Sequence, residues 1–358
     1  MAMTSWREAT ETALYGPAGF FRQQAGPAGH FRTSVHASPL FATAVLELVR
    51  LVDRGLGRPA ELVVTDVGAG RGELLSALGG QARARYPELA DRLALRAVEL
   101  AARPDGLPDW IGWAERIEPA GAGVLIGNEW LDNVPVEIAE VDEDGVVRLV
   151  LVDPATGEER LGDPVTGSGA AWLERWWPLA AAEPGFRAEI GLPRDEAWAA
   201  AVGSLGRGLA LAVDYAHRAQ ERPPFGSLAA YRQGREVRPV PDGSCDLTSR
   251  VALDASLEAA RTAHGDRIVH SLWTTQREAL HALGLSGARP PLSLAADDPA
   301  GYLRALAAAG EAAELTGTGG LGSFGWVLQS VGTSVLPEMW PSAGGSRPGD
   351  GRLLPHDE

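Results

Sequence analysis

Two short segments carry residue types and spacings that could do chemistry. The first is Thr65-Asp66-Val67-Gly68-Ala69-Gly70-Arg71-Gly72-Glu73. An apolar run enters a glycine-rich turn and a helix-forming stretch leaves it. Such a turn lets backbone approach a ligand and presents helix N–H groups to it. A dinucleotide site spaces its glycines G-x-G-x-x-G. Here Gly68, Gly70 and Gly72 follow G-x-G-x-G, with Asp66 two residues ahead of the first. That variant suits S-adenosylmethionine, which has a cationic amino-acid end and no pyrophosphate to cradle. Glu99 closes the next apolar run, where a carboxylate can accept hydrogen bonds from both ribose hydroxyls. An ordinary strand-to-helix turn would need the glycines but neither acid.

The second segment is Ile126-Gly127-Asn128-Glu129-Trp130-Leu131-Asp132-Asn133-Val134-Pro135-Val136. It follows a third apolar run, and in an open parallel sheet ligands bind beyond the carboxyl ends of the strands. The sequence contains two asparagines, Asn128 and Asn133, and both fall here. In a composition-biased chain that points to a needed amide, although Asn133 could equally cap a turn. Glu129 and Asp132 are carboxylates able to hold a cationic or hydrogen-bonding nucleophile; the alternative is a solvated loop. Asp214 stands at another strand end and could serve the site or cap its own turn.

The elements that would position these residues alternate. Short apolar strands are expected at 62–67, 93–98, 124–127 and 209–213, separated by helical stretches, with 321–331 as the last strand. That pattern indicates a parallel sheet covered on both faces. Ser38 and Pro39 open a helix whose apolar stripe runs from Leu40 and Phe41 to Val52, with Gly55 suited to its stop. A second helix is expected over 73–85, closed by Pro87. Residues 136–141 and 146–152 alternate around Asp144-Gly145 as a hairpin. The stretch 170–201 reads as helices carrying Trp172, Trp176, Trp177 and Trp198, for packing or as a cation cage. Residues 1–37 and 216–250 read as loop-rich, and 251–310 as helical.

Composition narrows the chemistry. The chain has 358 residues, 45% of them hydrophobic, enough for one large domain or a core with an insert. Its formal charge of −15 argues against a face that neutralises phosphates, so nucleic acid is not an expected partner. The sequence contains no lysine, which excludes a lysine Schiff base and a Walker A loop. Cys245 is the single cysteine, which leaves no intrachain disulfide and no cysteine-based zinc site; it reads as a small buried residue. The seven histidines lack metal-ligand spacing, so no metal is expected. The N-terminus has no apolar signal region and no window suits a membrane span, so a cytoplasmic location is expected, away from membrane.

The chain resembles the MidA-like family of S-adenosylmethionine-dependent methyltransferases over roughly residues 10–332. The matching stretches are Tyr15-Gly16, Gly29-His30-Phe31-Arg32-Thr33-Ser34, the glycine turn, Val98-Glu99, residues 128–136, Val213-Asp214-Tyr215, Leu228 to Arg232, residues 243–248, Thr275-Gln276 and Leu283-Gly284-Leu285, in the family's order. The mitochondrial members are protein arginine methyltransferases that assist respiratory complex I assembly. The sequence departs from the family at His30, where Asp is usual, at Ala69, where Pro is usual, at the intervening Asn133-Val134, and at Arg250, near a usual His.

The resemblance implies an α/β, Rossmann-like seven-stranded methyltransferase core with an N-terminal arm and an inserted cap region. Its divisions would be 1–58 for the arm and first helix, 59–135 and 205–335 for the core, 136–204 for the hairpin and helical cap, and 337–358 for a disordered tail. Cofactor-binding residues would be Thr33, Ser34, Asp66, Gly68, Ala69, Gly70, Gly72, Glu99 and Asn128, with S-adenosyl-L-methionine as cofactor. Asn128, Glu129 and Asp132 are the catalytic candidates, orienting a guanidinium nucleophile and localising its charge. The expected activity is methylation of a protein arginine side chain. A small-molecule or peptide acceptor is a second reading, and a non-catalytic assembly or binding protein that keeps the fold is a third. A homodimer is the expected self-association.

Overall fold

The computed structural model describes residues 3–22 and 34–336. Its central sheet follows from runs too apolar to leave either face in water. Seven strands form it: Leu62–Val67 (β1), Leu93–Val98 (β2), Ile111–Ala114 (β3), Ala120–Asn128 (β4), Leu205–Asp214 (β5), Ile268–Thr275 (β6) and Gly325–Val331 (β7). Their spatial order is β6-β7-β5-β4-β1-β2-β3. The pairs among β1 to β5 are parallel, whereas β7 runs antiparallel to both β5 and β6. The order reverses between β1 and β4, so a crevice opens beyond the carboxyl ends of those strands.

All six residues of β1 are buried, and its side chains feed two layers. Leu62 and Val64 pack with Phe41, Val45, Leu75 and Leu78 on one face. Val63 and Val67 pack with Trp198, Val202 and Leu257 on the other. The first layer comes from helices Pro39–Gly55 and Glu73–Arg85, the second from Leu192–Gly203 and Leu253–His264. Ser38 opens the Pro39–Gly55 helix as expected: its hydroxyl accepts from the Leu40 N–H, worth about 1 kcal/mol. It also donates to Glu311, tying this helix to Pro299–Thr316.

Several expectations are corrected. Residues 1–37 are not all loop: Trp6–Tyr15 is a helix burying Trp6, Ala9, Ala13 and Leu14, started by Ser5, whose hydroxyl accepts from Glu8. The expected hairpin is present as Glu137–Val141 and Val147–Val152, but it belongs to a larger sheet with Thr4–Ser5, Glu159–Pro164 and Arg187–Ile190. Residues 216–250 hold a three-stranded sheet of Arg235–Val237, Ala229–Arg232 and Asp246–Thr248. The 251–310 stretch is interrupted by β6, whose polar Ser271 is buried and accepts from Gln329 of β7. That internal pairing hides a core strand behind a polar sequence. The short β3 was also unforeseen, and the last strand begins at Gly325, after a 3-10 turn at Leu321–Ser323. The segment expected as a disordered tail, 337–358, lies outside the described residues. No helix among the described residues is long and apolar enough to cross a membrane.

Candidate active site

The glycine turn joins β1 to the helix Glu73–Arg85, and its conformation explains its composition. Gly68, Gly70 and Gly72 all have positive φ, at 70°, 59° and 79°, a region that other residues enter at a cost of about 1–2 kcal/mol. A side chain at Gly68 would meet the Trp130 ring at 3.1 Å, and one at Gly72 would meet Leu107 at 2.8 Å. At Gly70 a side chain would meet only a Glu73 oxygen, at 3.6 Å, and would project into open space. That space is a cavity of about 1060 Å³ beyond the carboxyl ends of β1, β2, β4 and β5.

Glu99, just past β2, ties the turn in place. Its Oε1 accepts from the backbone N–H groups of Leu100 (2.7 Å) and Ala101 (3.1 Å), and its Oε2 from Gly70 (3.1 Å). Burial nonetheless pushes its carboxyl above the usual range, against the pull of those N–H groups. Asp66, near the end of β1, is pushed up to about 8, first by burial and then by the charges of Glu73 and Glu99. Glu73 opens the following helix, accepts from the Arg71 N–H at 2.9 Å, and faces His36 at 3.4 Å. Hydrogen bonding to Glu73 raises the His36 ring.

The other half of the cavity hangs on the segment after β4. Glu129 has φ of +51°, a strained setting for a non-glycine residue and the kind that gathers at functional sites. Its N–H donates to Val213 of β5 (2.8 Å), and its Oε1 accepts from the Ser34 N–H (2.9 Å) and the Asn128 amide (3.3 Å). Burial first, with Asp132 nearby, pushes Glu129 up to about 7. Asp132 accepts from the Thr248 hydroxyl at 2.7 Å, and burial raises its carboxyl too. Asn128 Oδ1 and Asp132 Oδ1 are buried and find no hydrogen-bond donor. Asp246, pushed up to about 8 by burial and then by Asp132, accepts from the Asn133 amide at 3.1 Å. The Tyr15 hydroxyl donates to the Asn133 carbonyl at 3.1 Å.

Arg194, from the inserted segment, holds this half together. It is 3% exposed and donates to the carbonyls of Asp132 (2.7 Å), Arg250 (3.0 Å) and Val134 (3.2 Å), and to Ser249 Oγ (2.9 Å). Asp214 is wholly buried and caps the turn, accepting from the N–H groups of Leu131 (2.9 Å), Asp132 (3.3 Å) and Tyr215 (2.8 Å).

Of the residues expected at the site, Asp66, Gly68, Ala69, Gly70, Glu99, Asn128, Glu129 and Asp132 all line one cavity. Ser34 reaches it through its N–H on Glu129. Gly72 stands apart, packed against Leu107 and Trp113. Thr33 and His30 lie outside the described residues. Asn133 joins the turn to the strand at 246–248 rather than capping a turn. Cys245 is buried among Ala13, Leu14 and Leu247. Trp172 and Trp177 pack in a core cluster, and the Trp172 indole donates to Asp195. Sequence reasoning missed Arg194, which no local pattern marks. It quoted Tyr15, Asp246 and Thr248 within matching stretches but gave them no role.

A seven-stranded sheet in this order, with one antiparallel strand, a glycine turn after β1 and an acid after β2, defines a Rossmann-like α/β enzyme built around a cofactor crevice. Residues 41–271 match the family model described as "Putative S-adenosyl-L-methionine-dependent methyltransferase". The chain belongs to that family and is an S-adenosylmethionine-dependent methyltransferase. No curated protein matches it significantly. Two similar crystal structures both come from Burkholderia thailandensis. One is of a superfamily member bound to S-adenosyl-homocysteine, with 23% identity and a TM-score of 0.74, covering 93% of this chain and 89% of that one. The other is a native structure of an uncharacterized superfamily protein, with 24% identity and a TM-score of 0.74, covering 97% and 91%.

Proposed function

We propose that the chain transfers a methyl group from S-adenosylmethionine to a protein arginine side chain, as its resemblance to the MidA-like family implies. The observation that carries this reading is the pair of buried acceptors, Asn128 Oδ1 and Asp132 Oδ1, left without donors beside the cavity. Each such atom costs about 1–3 kcal/mol until a donor arrives. A guanidinium offers five N–H donors and no acceptor, so it satisfies them without introducing a clash of lone pairs. The lining is rich in acids: eight Asp and Glu residues stand against Arg116, Arg250 and His36.

The cofactor half fits its group. The missing side chain at Gly70 leaves room for the ligand, and Glu99 Oε2 retains a lone pair beyond its single N–H partner, suited to a ribose hydroxyl. Asp66, buried near the end of β1 and lining the cavity, would hold the cationic amino-acid end. The bound cofactor supplies an electrophilic methyl on a sulfonium. The chain's own residues then align, desolvate and deprotonate. Asp132 and Glu129 orient the guanidinium, and Glu129, with its carboxyl near 7, takes the proton that the nitrogen must lose. The Ser34 N–H and the Asn128 amide stabilise the Glu129 carboxylate while the proton is away. Residues 136–204 serve as the cap in this reading, through Arg194 beneath the acceptor turn.

Incubation with radiolabelled S-adenosylmethionine and cell lysate, followed by hydrolysis of the labelled protein, tests the reading. Label in methylarginine is expected. Label confined to small molecules, or to another amino acid, contradicts it.

A further inference from the structure

Arg250 is a cavity cation without an ion pair among the described residues. It lines the same cavity as Tyr231, Thr248 and Asp246. Its guanidinium lies 4.9 Å from the centre of the Tyr215 ring. Other stacked arginines are already engaged: Arg50 with Glu47, Arg175 with Glu258, Arg222 with Asp254. Arg83, Arg85 and Arg218 stack outside the cavity.

The Arg250 backbone is fixed on both sides. Its N–H donates to Ser227 Oγ at 2.9 Å, and its carbonyl accepts from Arg194 at 3.0 Å. Ser227 is anchored in turn by the buried Glu189, which accepts its N–H at 2.6 Å and its hydroxyl at 3.2 Å. Stacking on a ring uses the face of a guanidinium and leaves its in-plane N–H fork open, the geometry that grips a carboxylate. The side chain itself is exposed, and the ring contact is what orients its fork.

We propose that Arg250 reads a carboxylate on the methyl acceptor. Resting on the protein-arginine reading, that carboxylate is an Asp or Glu side chain close to the target arginine. The acceptor half then carries two opposite demands. Asn128 and Asp132 call for donors, and Arg250 calls for an acceptor. A segment with an arginine beside an acidic residue meets both, whereas a purely basic segment sets its second charge against Arg250.

Two fluorescein-labelled peptides test this, each with one arginine in a glycine background, one with two flanking glutamates and the other with two flanking glutamines. Binding is read by anisotropy at saturating S-adenosylhomocysteine, whose own binding is checked by calorimetry. The wild-type protein should prefer the glutamate peptide roughly tenfold at low salt, with the preference shrinking as salt rises. Arg250→Gln should equalise the two peptides while leaving S-adenosylhomocysteine affinity and the melting temperature unchanged. Equal affinities in the wild type, including no binding of either peptide, overturn the proposal, as does a preference that survives Arg250→Gln. Failure of S-adenosylhomocysteine to bind the wild type would instead strike the methyltransferase reading.

Discussion

The two halves of the cavity are built differently. The cofactor half comes from contiguous sequence: β1, its glycine turn and the acid after β2, stitched by backbone N–H groups onto Glu99. The acceptor half is assembled from Tyr15, the turn at 128–135, the strand at 246–248 and Arg250, with the buried Arg194 beneath them. In one half Glu99 and Glu73 accept from neighbouring backbone N–H groups. The other leaves Asn128 Oδ1 and Asp132 Oδ1 unsatisfied and holds Glu129 in a strained conformation. Glu137 Oε2 and His217 Nε2 are also unpartnered but lie outside the cavity, so it is the place of Asn128 Oδ1 and Asp132 Oδ1 on the cavity wall that points to a ligand. In the proposed reading the first half seats the cofactor and the second the methyl acceptor.

Substitutions should break the two halves separately. The largest effect is expected at Gly70→Val, where a branched side chain would sit in cofactor space at a φ that valine resists. Calorimetry should detect no S-adenosylmethionine binding. Next comes the Glu129→Gln/Asp132→Asn double variant. Its turnover on a working acceptor should fall by roughly 100-fold or more, the usual scale for losing acid–base groups. Full turnover there would leave alignment and desolvation as the whole mechanism. Glu99→Ala should weaken cofactor binding by about 1.5–3 kcal/mol, the range for hydrogen bonds to a charged group. An unchanged dissociation constant would place the ribose elsewhere.

A last test concerns pH and reads stability, not binding or turnover. In the folded chain Asp66 and Asp246 keep their protons to about 8 and Glu129 to about 7, whereas unfolded carboxyls lose theirs near 4. The folded state therefore binds more protons between those values, and its stability should fall as pH rises through that window. Melting temperatures of the cofactor-free protein at pH 5 and pH 8 check this, and Asp66→Asn should flatten the trend. A melting temperature that rises with pH would contradict it.

The same division marks what the sequence makes legible. Glycines at fixed spacing, Asp66 and Glu99 are local signals, because one strand, one turn and one helix create that site. The apolar runs of β1, β4 and β5 are equally plain, since both of their faces are buried. β6 is not, because its buried Ser271 is satisfied by Gln329 of β7, far along the chain. Arg194 carries no local mark: it works through four acceptors from other segments, and only the folded chain brings them together. The helix at 6–15 has a good cap and an apolar face, but the Gly-Pro breaks after it dominate the reading.

Titration calorimetry with S-adenosylhomocysteine on three proteins tests the division of the cavity most directly. The wild type and the Glu129→Gln/Asp132→Asn variant should bind within about 1 kcal/mol of each other, because those side chains belong to the acceptor half, while Gly70→Val should not bind. Loss of affinity in the double variant, or retained affinity in Gly70→Val, would contradict the account.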